Sequence, residues 1–270
     1  MTSHSLGLFA GFKIPIPLAE RFAMMRDAGF DSTVLWWDDA DGERRVWRDS
    51  VPDMARDAGL AIDHFHVPYR GCNVLWGSLE ADRMALVQRH VQWVRDCARH
   101  DIPTMVMHVT QGRAVPEPTP EGIDSLRRIV AAGEDSGVTV AVENTHCPDH
   151  LDALLAAIDS PCLGLCYDIS HDWLHSGAPF ALLRRWRHRV AALHLNDTDG
   201  RLDRHWLPGE GQVDFSEVMR ILAAGTDSPV LMLEVVPKDR AESVEPFLAR
   251  ARQSGIWLQG LHRAGRAAVA

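Results

Sequence analysis

Eight short apolar segments recur along the chain, and each is followed by a segment with helical character. They resemble buried parallel strands, which are short, nearly continuous runs of Val, Leu, Ile and aromatic residues. These segments span residues 6–11, 32–37, 61–68, 104–110, 139–144, 163–170, 190–197 and 229–236. Eight strand–helix units in 270 residues predict a single α/β domain, residues 1–270, folded as a closed (β/α)8 TIM barrel, since this fold takes about 250 residues.

An open, doubly wound sheet would also explain alternating strands and helices. That fold usually carries a glycine-rich phosphate loop after its first strand. The first strand here leads into FAGFKIPIP, which has no GxGxxG pattern, so the sequence favours the barrel. The predicted helices cover 18–30, 47–58, 79–100, 120–136, 150–158, 179–187, a segment from 215, and 241–253, and residues 260–270 form a loose end or a last helical turn.

The composition narrows the class of protein. Apolar residues make up 46% and charged residues 24%, as in ordinary soluble globular proteins. The formal net charge of −9 argues against a nucleic-acid partner without excluding a local basic patch. Five cysteines without CxxC spacing indicate reduced thiols. Because no run of 18 apolar residues and no secretory leader pattern occurs, we expect a cytoplasmic protein without a membrane partner.

Near the C-terminal ends of six of the eight strand-like segments stand residues of the types that bind metals or transfer protons. They are His66, His108, Glu143, Asp168, His194 and Glu234, with His171 three residues after Asp168. A barrel builds its active site at the C-terminal ends of its strands. One such residue alone is typical of a helix cap or a structural hydrogen bond. Several carboxylates at one mouth would repel one another without a cation between them, so the sequence predicts a divalent metal site there. The candidate ions are Zn, Mn, Co, Fe and Mg.

Six short motifs carry a family resemblance. They are VEN (142–144), CYDISH (166–171), HLND (194–197), DRH (203–205), PGEG (208–211) and LEV (233–235). Through them most of the chain resembles the xylose isomerase-like TIM barrel superfamily. This superfamily contains sugar phosphate isomerases and epimerases, inosose dehydratases and the endonuclease IV group, also called AP endonuclease family 2. The motifs together are specific for the superfamily. They are much less specific for any one activity within it.

The resemblance to the isomerase and epimerase branch implies one divalent ion held by Glu143, Asp168, His194 and Glu234. Such an ion acidifies the proton next to a carbonyl group and stabilises the ene-diolate. Glu143 and Glu234 would remove a proton from one face of the substrate and return it on the other. His171 would bind a substrate oxygen. The residues expected to bind substrate are His66, His108, Arg204, Trp173 and Trp36, with Arg201 as an alternative to Arg204.

The endonuclease IV branch holds three zinc ions with nine ligands, and each ligand has a counterpart in this chain. The counterparts are His66, His108, Glu143, Asp168, His171, His194, Asp203, His205 and Glu234. Relatives that are not nucleases keep several of them, so the match indicates metal capacity rather than DNA repair. A nuclease also needs basic residues for phosphates and a wedge for a flipped-out sugar. The loop at 38–43 is instead acidic, although Arg44, Arg45 and Arg48 follow it, and Lys occurs only at Lys13 and Lys238. Tyr69, Arg70 and Trp76 would supply a wedge and a phosphate contact, or else pack the loop.

The sequence therefore predicts a divalent-metal-dependent isomerase or epimerase of a small sugar, keto-sugar or polyol. The open alternatives are an inosose-type dehydratase, an endonuclease IV-like apurinic endonuclease, and a binding barrel without catalysis. A free sugar is favoured, since no glycine-rich phosphate loop follows the last two strands. Because members of this superfamily often form dimers, the resemblance makes a homodimer a candidate assembly. Asp197 is predicted to orient a metal-bound histidine, and His64 to face the surrounding helices.

Overall fold

The computed structural model describes residues 5–38, 47–225 and 230–269. Most of the acidic loop predicted at 38–43 lies outside these residues, together with Arg44 and Arg45. Residue 229, at the start of the last predicted strand, also lies outside them. The assignment of residues 1–270 to one domain stays a prediction.

Eight strands form one parallel sheet. They are β1 (Leu6–Phe9), β2 (Ser32–Trp36), β3 (Ala61–His66), β4 (Thr104–His108), β5 (Thr139–Glu143), β6 (Leu163–Asp168), β7 (Val190–His194) and β8 (Leu231–Leu233). Their order is β7-β6-β5-β4-β3-β2-β1-β8. Leu195, directly after β7, forms a parallel bridge with Leu233. The Leu195 N–H donates to the Met232 carbonyl at 2.8 Å, and the Glu234 N–H donates to the Leu195 carbonyl at 3.2 Å. The sheet therefore closes on itself, which confirms the predicted TIM barrel.

The α-helices follow the strands around the outside of the barrel. Those described are α1 (Leu18–Asp27), α2 (Val51–Asp57), α3 (Glu80–Arg99), α4 (Pro120–Ser136), α5 (Pro148–Ala157), α6 (Ile169–His175), α7 (Ala181–Trp186), α8 (Phe215–Ala223) and α9 (Val244–Val269). Neighbouring helices pack against each other, with α3 on α4 and α8 on α9. Within the part of the chain that the structure describes, no helix is both long enough and apolar enough to cross a membrane.

The short helix α6 was not predicted, because residues 169 and 170 were assigned to the preceding strand. No glycine or proline separates them from Asp168, so the local pattern shows no break. Asp168 itself begins the helix, since its Oδ1 accepts the backbone N–H of His171 at 2.8 Å. A strand that turns directly into a helix keeps Asp168 and His171 together at the same end of the barrel.

The C-terminal tail is helical rather than loose. The sequence predicted a helix over 241–253 followed by at most one further turn. This predicted helix was too short, because α9 continues to Val269. Packing on α8 explains the longer helix: a Cβ atom at Gly265 would lie 3.0 Å from the Ala223 Cβ and 3.2 Å from the Arg220 Cα. His262, one turn earlier, is buried. Single-sequence periodicity does not report such a close contact between two helices.

The strand-end residues stand above a layer of small buried side chains inside the barrel. This layer is the cluster Val106, Ala141, Cys166 and Ala192, each two positions before a strand-end residue. Side chains alternate between the two faces of a strand, so both layers face inward. His64, two positions before His66, is fully buried, and its ring contacts that of His194. The prediction that His64 faces the helices was therefore wrong, because it shares the parity of His66.

Candidate metal centre

Four side chains from four strand ends converge at the barrel mouth. Glu143, Asp168, His194 and Glu234 each offer one ligand atom, and these atoms all lie within 4.8 Å of one another. The first three end β5, β6 and β7, and Glu234 directly follows β8. The structure thus brings together the four residues that the sequence predicted as ligands of one ion.

One ring nitrogen of His194 faces the carboxylates of Glu143 and Glu234 and makes no hydrogen bond within the described residues. This nitrogen is the buried Nδ1. This atom lies 3.1 Å from Glu234 Oε2 and 3.4 Å from Glu143 Oε2. A buried nitrogen without a partner, surrounded by carboxylate oxygens, is a donor set that suits a divalent cation. These residues therefore fit the metal that the sequence predicts.

The electrostatic environment of the residues at the barrel mouth also favours the binding of a cation. Burial alone would raise the pKa of Glu143, but His108 and His194 hold it well below its usual 4.5. Burial raises the pKa of Asp168 to about 6, an effect that His171 opposes and Glu143 strengthens. Burial disfavours a charged His194, but Cys166, Glu234 and Glu143 raise its pKa well above 6.5. Positive charge between these carboxylates is therefore stabilised, and a bound metal ion would supply it in place of a proton.

A second group of ligands shares Glu143 with the first. His66 Nε2 lies 3.0 Å and His108 Nε2 3.1 Å from Glu143 Oε2. Ligand atoms of these three residues also lie within 4.8 Å of one another. Both histidines were predicted as candidate ligands and as substrate-binding residues, and the structure places both beside Glu143.

Asp203, on the loop after β7, lies between two further predicted ligands. These are His205 on the same loop and His171 in α6. The Asp203 Oδ2 lies 3.0 Å from His205 Nε2 and 3.4 Å from His171 Nε2. His171 also donates through Nδ1 to the Asn144 carbonyl at 2.9 Å. Burial disfavours the charged form of His205, but Asp203 and Glu234 raise its pKa to about 9. All nine candidate ligands therefore gather at one end of the barrel.

A cavity of about 410 Å³ opens above these residues. Its lining residues are Lys13, Trp36, His66, Tyr69, His108, Thr110, Gln111, Gly112, Glu143, Thr145, His146, His171, Asp203, His205 and Glu234. The Trp36 ring stacks on His66 with centroids 5.0 Å apart, and the Tyr69 ring stacks on His108 at 4.8 Å. This volume is within the usual range for a small-molecule site.

Two residues predicted to bind substrate do not line this cavity. Trp173 packs against Phe180, with ring centroids 5.8 Å apart. The Arg204 Nε donates to Asp199 at 2.8 Å. Trp76 is also turned inward, where its Nε1–H donates to the Val109 carbonyl at 2.7 Å, so it packs the loop instead of forming a wedge. Each of these side chains has a partner on a neighbouring segment that sequence spacing does not reveal.

Residues 22–258 match the family model described as xylose isomerase-like TIM barrel. The chain belongs to this family. Two curated relatives are uncharacterized proteins of Sinorhizobium fredii, 29% identical over 114 residues, and of Methanocaldococcus jannaschii, 27% identical over 133 residues. These alignments cover 42% and 45% of this chain, and 36% and 45% of the relatives, so each spans less than half of the relative's own length.

Solved structures share the fold of this family member at low sequence identity. A structure of L-ribulose 3-epimerase is 16% identical with a TM-score of 0.78, covering 98% of this chain and 96% of that one. A structure of D-psicose 3-epimerase from Clostridium cellulolyticum H10 is 12% identical with a TM-score of 0.76, covering 96% and 99%. At these identities the likeness establishes the barrel and its topology.

Two asparagines that the sequence did not single out hold Asp168 in place. Asn144 accepts the Asp168 N–H at 2.8 Å and donates to the Asp168 carbonyl at 2.7 Å. Asn196 donates to Asp168 Oδ2 at 2.7 Å. Both asparagines stand in family motifs, VEN and HLND, directly after Glu143 and two residues after His194. Their position beside predicted ligands was a usable signal, because metal ligands are commonly oriented by amide groups.

Asp197 organises the loop that carries Asp203 and His205, and does not orient a histidine. Its carboxylate accepts four backbone N–H groups, from Thr198, Gly209, Gly211 and Val213, at 2.8, 3.0, 2.8 and 3.1 Å. A Cβ atom at Gly211 would lie 2.3 Å from Asp197 Oδ1, so only glycine fits there. The predicted role for Asp197 was wrong, because the loop folds back over the carboxylate and supplies all of its partners. These contacts account for the two glycines of the PGEG motif.

We expect Asp197→Ala to lower the free energy of unfolding by about 3 kcal/mol or more. The substitution leaves four backbone donors without their acceptor. An unpaired donor costs roughly 1–3 kcal/mol when it is buried, and the three donors of the returning loop are partly buried, so each contributes toward the lower end of this range. Urea denaturation of the metal-free protein measures the loss. Asp214→Ala is the matched control, since Asp214 accepts two N–H groups at the exposed start of α8 and its loss costs about 1 kcal/mol. Equal losses for the two variants would contradict the role of Asp197.

Proposed function

We propose that this protein is a divalent-metal-dependent isomerase or epimerase of a small sugar, keto-sugar or polyol. The observation that carries this function is the group of Glu143, Asp168, His194 and Glu234, whose ligand atoms lie within 4.8 Å of one another beside a cavity of small-molecule size. The likeness in fold to L-ribulose 3-epimerase and D-psicose 3-epimerase supports the reaction class. An ion held by these four residues would supply Lewis acidity, which lowers the pKa of a carbon-bound proton next to a carbonyl group.

Two carboxylates are available to move that proton. Glu143 ends β5, and Glu234 follows β8, three strands farther around the barrel. They therefore reach a bound substrate from different sides, and both line the cavity. One ionised carboxylate accepts the proton, and the other, once protonated from solvent, returns one at the opposite face. This order inverts one carbon centre without any change in oxidation state.

His171 supplies a proton donor to a substrate oxygen in this scheme. Burial disfavours its charged form, but Asp168 and Asp203 raise its pKa well above 6.5, so the ring carries a proton at neutral pH. Its Nδ1 is held by the Asn144 carbonyl, which leaves Nε2 on the side of Asp203. A ring held in this way presents its donor with little loss of side-chain entropy.

The cavity wall suits an uncharged polyol. Trp36 and Tyr69 offer aromatic surface for the C–H face of a sugar, and the imidazoles and carboxylates offer partners for hydroxyl groups. Among the described residues that line the cavity, Lys13 alone has a permanently cationic side chain. A phosphorylated sugar would be expected to meet several such cations, so this wall favours a free sugar.

Incubation of the metal-loaded protein with ketopentoses, ketohexoses and inososes in deuterated water tests the function. We expect deuterium at a carbon next to the carbonyl group, together with an isomer or epimer of the sugar, both detected by nuclear magnetic resonance. Loss of water from an inosose would instead identify a dehydratase. No deuterium in any substrate would contradict the proposed reaction.

The group of His66, His108 and Glu143 favours a second candidate function, an endonuclease IV-like phosphodiesterase with three zinc ions. This group adds a second set of ligands to the first through Glu143 Oε2. Metal content per chain separates the two functions: one ion supports the isomerase, and three zinc ions with cleavage of abasic DNA support the phosphodiesterase. Lys13, the one permanently cationic side chain that the described part of the chain contributes to the cavity, provides little for a phosphate backbone.

A further inference from the structure

Asp63 and His64 lie beneath the metal centre and are not part of any predicted ligand set. We propose that these two residues, the Asp63–His64 dyad, fix the tautomer of His194 so that its Nδ1 presents a lone pair to the divalent ion. They are positioning residues, because neither reaches the cavity. The inference rests on the metal centre of the proposed function and adds the residues that prepare it.

The dyad forms a continuous chain of contacts from the side of the barrel to the metal centre. Asp63 Oδ2 lies 2.8 Å from His64 Nδ1, and His64 Nε2 lies 3.0 Å from His194 Nε2. The His64 side chain is fully buried, and that of Asp63 is 17% exposed. The two imidazole rings are tilted by 31° with centroids 5.2 Å apart, which suits a ring-to-ring hydrogen bond rather than stacking.

Hydrogen-bond chemistry allows one arrangement of protons along this chain when His64 is neutral. An ionised carboxylate only accepts, so Asp63 places the proton of His64 on Nδ1. His64 Nε2 then has a lone pair and needs a donor. The donor is His194 Nε2–H, since two bare nitrogens 3.0 Å apart would repel each other. A neutral His194 protonated at Nε2 has its lone pair at Nδ1, the atom that faces Glu143 and Glu234.

The surroundings of His64 indicate that its ring orients His194 and does not merely fill space in the core. The neighbouring interior layer is small and largely apolar, with Val106, Ala141 and Ala192. A polar ring in such a layer is unfavourable unless its nitrogens are paired, and here both are. His194 Nε2 also lies 3.6 Å from the Cys166 Sγ, which is a much weaker acceptor than an imidazole nitrogen.

The substitution Asp63→Asn tests the dyad with almost no change in shape. An amide can donate as well as accept, so it no longer forces the His64 proton onto Nδ1. The reversed chain would put a proton on His194 Nδ1, where it competes with the metal. We expect the dissociation constant for Co²⁺, measured in the metal-free protein against a competing chelator, to rise about 10–100-fold. Asp53→Asn is the matched control, because it removes the same charge from a side chain that is 76% exposed.

The tautomer itself is measurable in the zinc-loaded wild type with isotope-labelled histidine. Proton–nitrogen correlation spectra should show His194 protonated at Nε2 and zinc bound at Nδ1. They should also show His64 protonated at Nδ1. His64→Gln serves to assign the signals. Zinc on His194 Nε2, or a proton on His64 Nε2, would overturn the inference. A purely structural role would lower the melting temperature of Asp63→Asn without changing its Co²⁺ affinity, and would overturn it too.

The test separates failure of the dyad from failure of the proposed function. Equal Co²⁺ affinity in the wild type and Asp63→Asn would overturn the positioning role even if the wild type epimerises a sugar. A tenfold or larger loss of affinity, with the tautomer as stated, would support the role even if no sugar is a substrate. A wild type that binds no divalent ion would overturn both.

Discussion

Removal of divalent ions with a chelator is expected to lower the proposed isomerase or epimerase activity about 1,000-fold or more. Lewis-acid stabilisation of developing charge contributes several kcal/mol, and each 1.36 kcal/mol is a factor of ten in rate. Without the ion, Glu143, Asp168 and Glu234 remain close together, compensated only by protonated histidines. The histidines then neutralise the carboxylates in place of the ion, and nothing supplies the Lewis acidity that would lower the pKa of the carbon-bound proton of the substrate.

The measurement is activity in the metal-free protein, followed by titration with Mn²⁺, Co²⁺, Zn²⁺ or Mg²⁺ while bound metal is quantified by mass spectrometry. We expect activity to return in proportion to the first ion bound per chain. The melting temperature should rise in parallel, since an ion present at 100 times its dissociation constant stabilises the fold by about 2.7 kcal/mol. Full activity in protein with no detectable metal would contradict the metal-dependent reaction. A requirement for three ions would favour the phosphodiesterase.

Glu143→Gln and Glu234→Gln are each expected to lower kcat about 100- to 10,000-fold, the range contributed by a positioned acid or base. The amide keeps the size of the side chain but does not accept a proton at neutral pH. Glu143 has the additional task of accepting from His66 and His108 at Oε2. Replacement of Glu143 should therefore change the positions of neighbouring site residues more than replacement of Glu234, whose side chain is 17% exposed.

Solvent exchange separates proton transfer from loss of metal. Each variant is compared at saturating metal, with bound ion measured directly, in deuterated water. We expect each to lose exchange more strongly for one epimer than for the other, since the two carboxylates serve different faces of the substrate. Glu80→Gln, an exposed change in the first turn of α3, is the control for the loss of a charge. Wild-type rates in either site variant, with the metal retained, would show that the carboxylate does not transfer a proton.

Much of the fold, and the convergence of the candidate ligands, was predictable from the sequence for a physical reason. In a parallel barrel every strand ends at the same face, so a local apolar run followed by a polar residue is enough to place that residue. His66, His108, Glu143, Asp168 and His194 are the last residues of their strands, and Glu234 follows the next one. No knowledge of distant contacts was needed to bring them together.

Only the tertiary structure decided what each side chain touches. Asp197 finds its partners on a loop that returns 12–16 residues later, and the helical tail depends on the close approach of Gly265 to α8. Arg204 and Trp173 turn to Asp199 and Phe180 instead of the cavity. The contact between His64 and His194 joins residues 130 positions apart. Local patterns determine which face a residue occupies, whereas hydrogen-bond partners and ring orientation depend on how loops and rings from distant segments fill the same space.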